Sequence, residues 1–334
     1  DPETIELHFS LGNLFRRRGE TERAIRVHQH LANRDDLKPR DRDHAAYELG
    51  RDFLRAGLLD RAETSLNRVS PQSKFGIPAK ESLLEMYQVE KDWAKAIVAS
   101  QELEALQNKG REKEIAHFHC ELADEALRRK DLAAATKHVE LAMQSSPNHP
   151  RAIILQGDCL VAQNQLTQAI EVWSLIAKNH PAYLHLLANR WINVHQVLGK
   201  VEEGLQVLID TLETQAGGEL LDITFKHVMA LRGVPQAESL MTEVMRHTPS
   251  LSAMALRVQA RLTLAEVAQN DKAAQEFKAS YGLLKQRTNT LARYTCGNCG
   301  FRARRFYWQC PGCNHWESYS PRRGEGAAPS GPSM

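Results

Sequence analysis

Four of the six cysteines stand in one stretch, "CGNCGFRARRFYWQCPGC", residues 296–313. Cys296 and Cys299 form one C-x-x-C pair and Cys310 and Cys313 a second, with ten residues between the pairs. Two thiolate pairs close a tetrahedron around one soft divalent ion. Gly300 permits the turn that aims backbone amides at the first pair, and Pro311 with Gly312 is expected to serve the second turn. The segment "FRARRFYWQ" reads as a small β-hairpin, and "NHWESYS" as a second hairpin or extended arm. Redox or disulfide use of the pairs is the competing chemistry, but no βαβ pattern of a thioredoxin-like unit surrounds either one.

The knuckles resemble those of rubredoxin and of zinc ribbons, with a shorter span between them than true rubredoxins have. A closed four-cysteine structural site holding one zinc ion is therefore expected, and iron fits the same sulfur tetrahedron. About 35 residues around such a site cannot bury a core of their own, so the metal must supply folding energy. Phe301, Phe306, Tyr307, Trp308 and Trp316 are more aromatics than a small knuckle can hide. Some are expected to pack against the last repeats described next, making the metal module a cap and brace. The other two cysteines, Cys120 and Cys159, lie on separate helical patterns and are expected to be buried free thiols.

The elements that would carry this module are repeats. "LGNLFRRRGETERAIRVHQHL" from Leu11 and "LGRDFLRAGLLDRAETSLNRV" from Leu49 share Leu-Gly, an aromatic four residues on, Gly eight on and Ala thirteen on. This is the tetratricopeptide pattern. Gly12 and Gly50 let two helices of a hairpin approach, Gly19 and Gly57 suit the turn, and Ala24 and Ala62 let the second helix pack closely. Weaker copies follow at Leu83/Tyr87/Ala96, Leu122/Ala135/Pro147, Gly157/Ala169/Trp173, Trp191/Gly199/Gly204 and Ala237/Pro249, in steps of about 33–39 residues. Seven repeats and a final helical pair are expected over 1–290, a metal-binding domain over 291–320 and a disordered tail over 321–334. The fold class is all-α, a tetratricopeptide-repeat superhelix ending in a small rubredoxin-like domain.

Such arrays bind partners on a concave face lined by the first helix of each pair. The candidate partner-binding residues are Asn13, Arg16, Tyr47 and Arg51 in the first copies and Glu85 in the third. Asp124, Asp158, Asn189 and Asn193 extend the set. No G-x-S-x-G, P-loop, G-x-G-x-x-G or H-E-x-x-H motif is present, and no enzyme is expected. In "HFHC", His117 and His119 point to different sides of a helix, so no metal site is expected there. The composition is that of an ordinary globular protein, with 42% hydrophobic and 25% charged residues. A net charge of +2 does not suit a general nucleic-acid binder. Arg302, Arg304 and Arg305 beside ribbon aromatics nevertheless leave a zinc-ribbon nucleic-acid binder as the alternative function. No run reaches the roughly 18 apolar residues of a membrane span, and no signal-peptide pattern opens the chain. The chain starts at Asp1, without Met and almost at once in helical pattern, as expected of a piece of a longer protein.

The pairing of these repeats with the cysteine knuckles resembles the lipopolysaccharide assembly protein B family. The stretches "FSLGNLFRRRGETERAIRVHQ", "EIAHFHCELA" and "RYTCGNCGF…YWQCPGC" carry the resemblance, which spans essentially the whole chain. It implies a non-enzymatic adaptor that restrains lipopolysaccharide synthesis. The expected partners are the membrane protease FtsH, its substrate LpxC and an inner-membrane regulator that senses lipopolysaccharide. It further implies an N-terminal transmembrane helix, absent from this sequence, that tethers the array to the cytoplasmic face of the bacterial inner membrane. The family's metal ligands fall on Cys296, Cys299, Cys310 and Cys313. No nucleic-acid partner is implied, and homo-oligomer formation stays open.

Overall fold

A computed structural model describes residues 2–215 and 217–321. Apart from Pro321, the expected disordered tail 321–334 lies outside the described residues. The described residues form sixteen α-helices, one 3-10 helix and one three-stranded sheet, and they fall into two compact units, 1–149 and 150 onward.

The first unit holds four helical hairpins. These are α1 (Pro2–Arg17) with α2 (Thr21–Ala32), and α3 (Pro39–Ala56) with α4 (Leu59–Leu66). They are followed by α5 (Gly76–Glu90) with α6 (Trp93–Gln107), and α7 (Glu112–Arg128) with α8 (Leu132–Ser145). The second unit begins with α9 (Pro150–Ala162) and α10 (Leu166–Asn179), then the 3-10 helix η1 (Pro181–Leu186). It continues with α11 (Ala188–Val197) and α12 (Val201–Thr214), α13 (Gly218–Leu231) and α14 (Val234–His247), and α15 (Leu251–Val267) and α16 (Asp271–Thr290). Strands β1 (Tyr294–Cys296), β2 (Arg302–Ala303) and β3 (Tyr319–Pro321) close the chain. Among the described residues the α-helices run as eight successive pairs.

Each hairpin turn contains one residue in the left-handed region. At the first two it is Gly19 (φ 80°) and Gly57 (φ 72°), as expected. Further on, Lys91, Lys130, Asn164 and Gln269 do the same work at φ 52–62°. A helix C-terminus needs that backbone state whether or not glycine supplies it. The third, fourth and fifth copies and the final pair could not show their turns by glycine for this reason, whereas Gly199 (φ 70°) and Gly233 (φ 94°) make those of the sixth and seventh.

Small residues set the hairpin spacing. A Cβ on Gly50 would lie 2.6 Å from the Leu66 side chain, and one on Gly157 would enter the Trp173 ring. Ala24, Ala62, Ala96, Ala135, Ala169 and Ala237 are all fully buried. In the second unit Trp173 and Trp191 fill the hairpin interiors, and their indole N–H groups donate to Ile154 O and Gly204 O, each at 3.0 Å. Cys120 and Cys159 are buried on α7 and α9, as expected.

The first unit encloses a polar cluster that the repeat pattern did not reveal. Arg16 on α1 donates to Asp52 at 2.8 Å and also contacts Glu48, both on α3. His28 on α2 meets the other Asp52 oxygen at 2.5 Å. Neither the Asp52 nor the His28 side chain is exposed at all. Arg16 and His44 hold the Glu48 carboxyl down to about 2 despite the burial that opposes them.

Candidate metal centre

The sheet runs β2-β1-β3 with both pairings antiparallel, so β1 lies in the middle and carries Cys296 at its end. Cys296 faces Tyr319 across β1 and β3. The two knuckles share one hydrogen-bond pattern. In the first, Cys296 N–H donates to Phe301 O and Gly300 N–H to Cys296 O. In the second, Cys310 N–H donates to His315 O and Asn314 N–H to Cys310 O. The left-handed residue is Gly300 in one (φ 75°) and Asn314 in the other (φ 57°). Pro311 and Gly312 lie in the second turn, as expected, and the left-handed position that follows it falls to Asn314. Gly312 is also needed there for space, because a Cβ would press on Phe301 at 3.2 Å and on Cys299 Sγ at 3.4 Å. Of the expected hairpin between the knuckles only β2 pairs with β1, while the later arm supplies β3 and a Gln309–Trp316 bridge.

The four sulfurs converge, each within 4.8 Å of the others. Cys296 and Cys313 Sγ are 3.7 Å apart, as are Cys299 and Cys310 Sγ. A metal–sulfur bond of about 2.3 Å gives a tetrahedron with edges of about 3.8 Å. The sulfurs are therefore already spaced for one tetrahedral ion and too far apart for disulfides, which need about 2.05 Å. Backbone amides aim at them, Cys299 N–H at Cys296 Sγ (3.5 Å) and Gly312 N–H at Cys310 Sγ (3.4 Å). At Cys296 burial opposes ionisation, but hydrogen bonds from Ser318 and from the Cys299 and Asn298 amides outweigh it and bring the thiol down to about 6. At Cys299 the Phe301 amide favours the thiolate, yet desolvation and the three neighbouring sulfurs push it up to about 12. Four sulfurs this close hold fewer than four negative charges without a cation, and a bound metal replaces the remaining protons. The donor set thus fits zinc or iron, and all four expected ligands are brought together.

The ribbon docks within the second unit. Trp308 stacks on Tyr183 of η1 at 5.1 Å and 22°, and Phe306 meets Tyr183 and His185 edge-on at 5.8 Å. Tyr294 donates its hydroxyl to Glu219 of α13, and Arg293 pairs with Asp222 of α13 at 2.7 Å. The Arg151 guanidinium lies 5.8 Å from the centre of the Trp308 ring. Burial lowers the pKa of His185, with Glu219 opposing, and raises Tyr183 to about 12. Phe306 and Trp308 therefore do pack on the repeats, on η1 between the fifth and sixth hairpins, while Tyr294 reaches α13 of the seventh. The expected end cap is not formed in this way, since the last helix, α16, has no buried residue. Phe301 is left exposed.

The candidate partner-binding residues divide. Asn13, Arg16, Arg51 and Glu85 line one groove in the first unit. Tyr47 stands beside it, stacked on Phe75 and under the Arg51 guanidinium. Arg16 is mostly buried by its bonds to Glu48 and Asp52, so only part of it faces the groove. Asp124 pairs with Arg128 of its own helix. In the second unit Asp158 pairs with Arg190, while Asn189 and Asn193 are exposed on α11. Sequence reasoning set "HFHC" aside, yet His117 packs edge-on against His149 at 4.3 Å and Cys120 Sγ lies 4.0 Å from His149 Nδ1. Only the fold brings His149, 29 residues from Cys120, to that helix.

A repeat array that holds a four-cysteine ribbon against its own helices defines the class as a helical-repeat scaffold with a metal-built module. Residues 294–321 match the family described as rubredoxin metal binding domain. Residues 128–211 match the one described as anaphase-promoting complex, cyclosome, subunit 3. The chain is 31% identical to lipopolysaccharide assembly protein B of Escherichia coli K12 over 97% of its own length and 82% of that protein. It is 26% identical to the Haemophilus influenzae protein of the same name, over 95% of this chain and 79% of that one. The chain belongs to the lipopolysaccharide assembly protein B family. Among solved structures, a tetratricopeptide repeat protein from Parabacteroides merdae aligns with 77% of this chain and 99% of its own, at 12% identity and a TM-score of 0.33.

Proposed function

We propose that the chain is a non-enzymatic adaptor in lipopolysaccharide assembly. In this reading it presents the deacetylase LpxC to the membrane protease FtsH and so limits lipopolysaccharide synthesis. The observation that carries the reading is the match to proteins named for lipopolysaccharide assembly over 97% of the chain, repeats and ribbon together. Repeat arrays suit the task because their helices present long surfaces to partner segments. A zinc ion in the cysteine site would hold the ribbon folded, and the ribbon in turn would hold η1 and α13 in place. An inner-membrane regulator that senses lipopolysaccharide would act on the same scaffold, and the array would work at the cytoplasmic face of the inner membrane.

Degradation of purified LpxC by FtsH in lipid nanodiscs tests this directly. Adding the chain should shorten the LpxC half-life several-fold, and metal-stripped chain should do so less. An LpxC half-life that does not respond to the chain at any concentration would overturn the adaptor reading.

A further inference from the structure

Two grooves in the first unit share Asn13 as a common wall. One, of about 440 Å³, lies between α1, α3 and α5 and is lined by Asn13, Arg16, Arg17, Arg51, Arg55 and Glu85, with Ser82 and Leu54. The other, of about 350 Å³, is bounded by an aromatic stack in which His44 lies between Phe9 (3.8 Å) and Phe75 (4.4 Å). Both volumes fall in the range of ligand-sized clefts, about 300–1,000 Å³.

The charges of the two grooves differ. The aromatic one is balanced, with Arg40 and Lys74 against Glu6 and Asp41. The other carries four guanidinium groups and only one carboxylate, Glu85. Arg16 is neutralised from behind by Glu48 and Asp52, and Arg51 leans toward Glu48 at 3.5 Å. Arg17 and Arg55 are exposed and have no ion-pair partner among the described residues. The groove is therefore left with excess positive charge, and its floor is held still by a buried network. Arg16 also donates to the Asn13 side-chain Oδ1, which orients that amide and leaves its NH₂ to donate to a ligand. A fixed amide donor between an aromatic wall and a guanidinium cluster matches one kind of occupant, an extended chain with an apolar residue followed by carboxylates. Guanidinium groups bind carboxylates through paired, charge-assisted hydrogen bonds.

We propose that this double groove of the first unit is the docking site for an acidic peptide segment of a partner protein. An apolar side chain lies against the Phe9–His44–Phe75 stack, the peptide backbone accepts from Asn13, and the carboxylates meet Arg17, Arg51 and Arg55. The proposal rests on the adaptor reading above and names the chemistry of the segment that the adaptor grips.

Fluorescence anisotropy of the whole chain with a labelled Phe-Gly-Glu-Glu-Glu peptide tests it. The doubly reversed variant Arg51→Glu, Arg55→Glu alters two exposed side chains, and its helical circular dichroism should match the parent. Affinity for the glutamate peptide should fall at least about tenfold, as expected for the loss of charge-assisted contacts. The same peptide with glutamine in place of glutamate should bind weakly to both proteins. A lysine version should prefer the reversed variant, a gain that misfolding cannot produce. Equal binding of the glutamate and glutamine peptides, or equal binding by parent and variant, would overturn the proposal. So would arginine-dependent binding to phosphatidylglycerol vesicles with none to the peptide. If the parent fails to bind peptide but still accelerates LpxC degradation, this site is wrong and the adaptor reading stands. If it does not accelerate degradation, the adaptor reading itself falls.

Discussion

The two units solve the same packing problem with opposite materials. Near its start the first unit is tied together by charge, with Arg16, Glu48, Asp52 and His28 buried across three helices. The second unit is tied at η1 by aromatic rings, Tyr183 and His185 receiving Phe306 and Trp308 from a ribbon that arrives more than a hundred residues later in the chain. The ring contact depends on a part that cannot fold by its hydrophobic core alone. The charge cluster depends only on neighbouring hairpins. The metal is therefore a distant condition on the second unit's order and, in this account, no condition on the first unit's.

Among the helices, the charge cluster gives the larger single-residue effect. Asp52→Ala leaves Arg16 half-paired and removes the partner His28 meets inside the core, which should cost about 3–5 kcal/mol. Urea unfolding followed by circular dichroism measures it. A loss below about 1 kcal/mol would show that the cluster is incidental and that the contrast between the units is false.

Acid should separate the units with a smaller effect. Burial lowers the His185 pKa from 6.5, so the unfolded state takes up a proton more readily than the folded one. The stability contributed there is present above pH 6.5 and is lost as pH falls below it. Glu48 is held at about 2 against an ordinary 4.5, so its contribution is present above pH 4.5 and fades only as pH drops from there toward 2. The ribbon and η1 amides should lose protection from exchange as pH falls below 6.5 while the α1–α3 amides keep theirs. Simultaneous loss of both would mean that they do not titrate independently.

How legible each region was follows from the same contrast. The repeats could be read because Gly12, Gly50, Ala24 and Ala62 recur at positions where no larger side chain fits. The four ligands could be read because C-x-x-C spacing is itself a geometric statement. The Arg16 cluster could not, since Glu48 and Asp52 lie 32 and 36 residues away and resemble any solvated charges on a helix. Lys91 and Lys130 hid two turns because a lysine gives no local sign of a positive φ. In the ribbon, Pro311 and Gly312 announced the second turn, but nothing marked Asn314 as its left-handed residue. The docking of Trp308 on η1 was half legible. Its surplus aromatic surface announced a partner surface, but only the fold selects Tyr183.

Hydrogen exchange on metal-stripped chain, or on Cys310→Ser, tests the central claim most directly. A structural metal such as zinc contributes roughly 10–16 kcal/mol to small domains of this kind, so residues 294–321 should exchange freely once the site's metal is removed. The brace predicts that η1 and α13 then lose protection as well, while α1–α4 keep theirs. Unchanged protection in η1 and α13 after the ribbon has unfolded would contradict it.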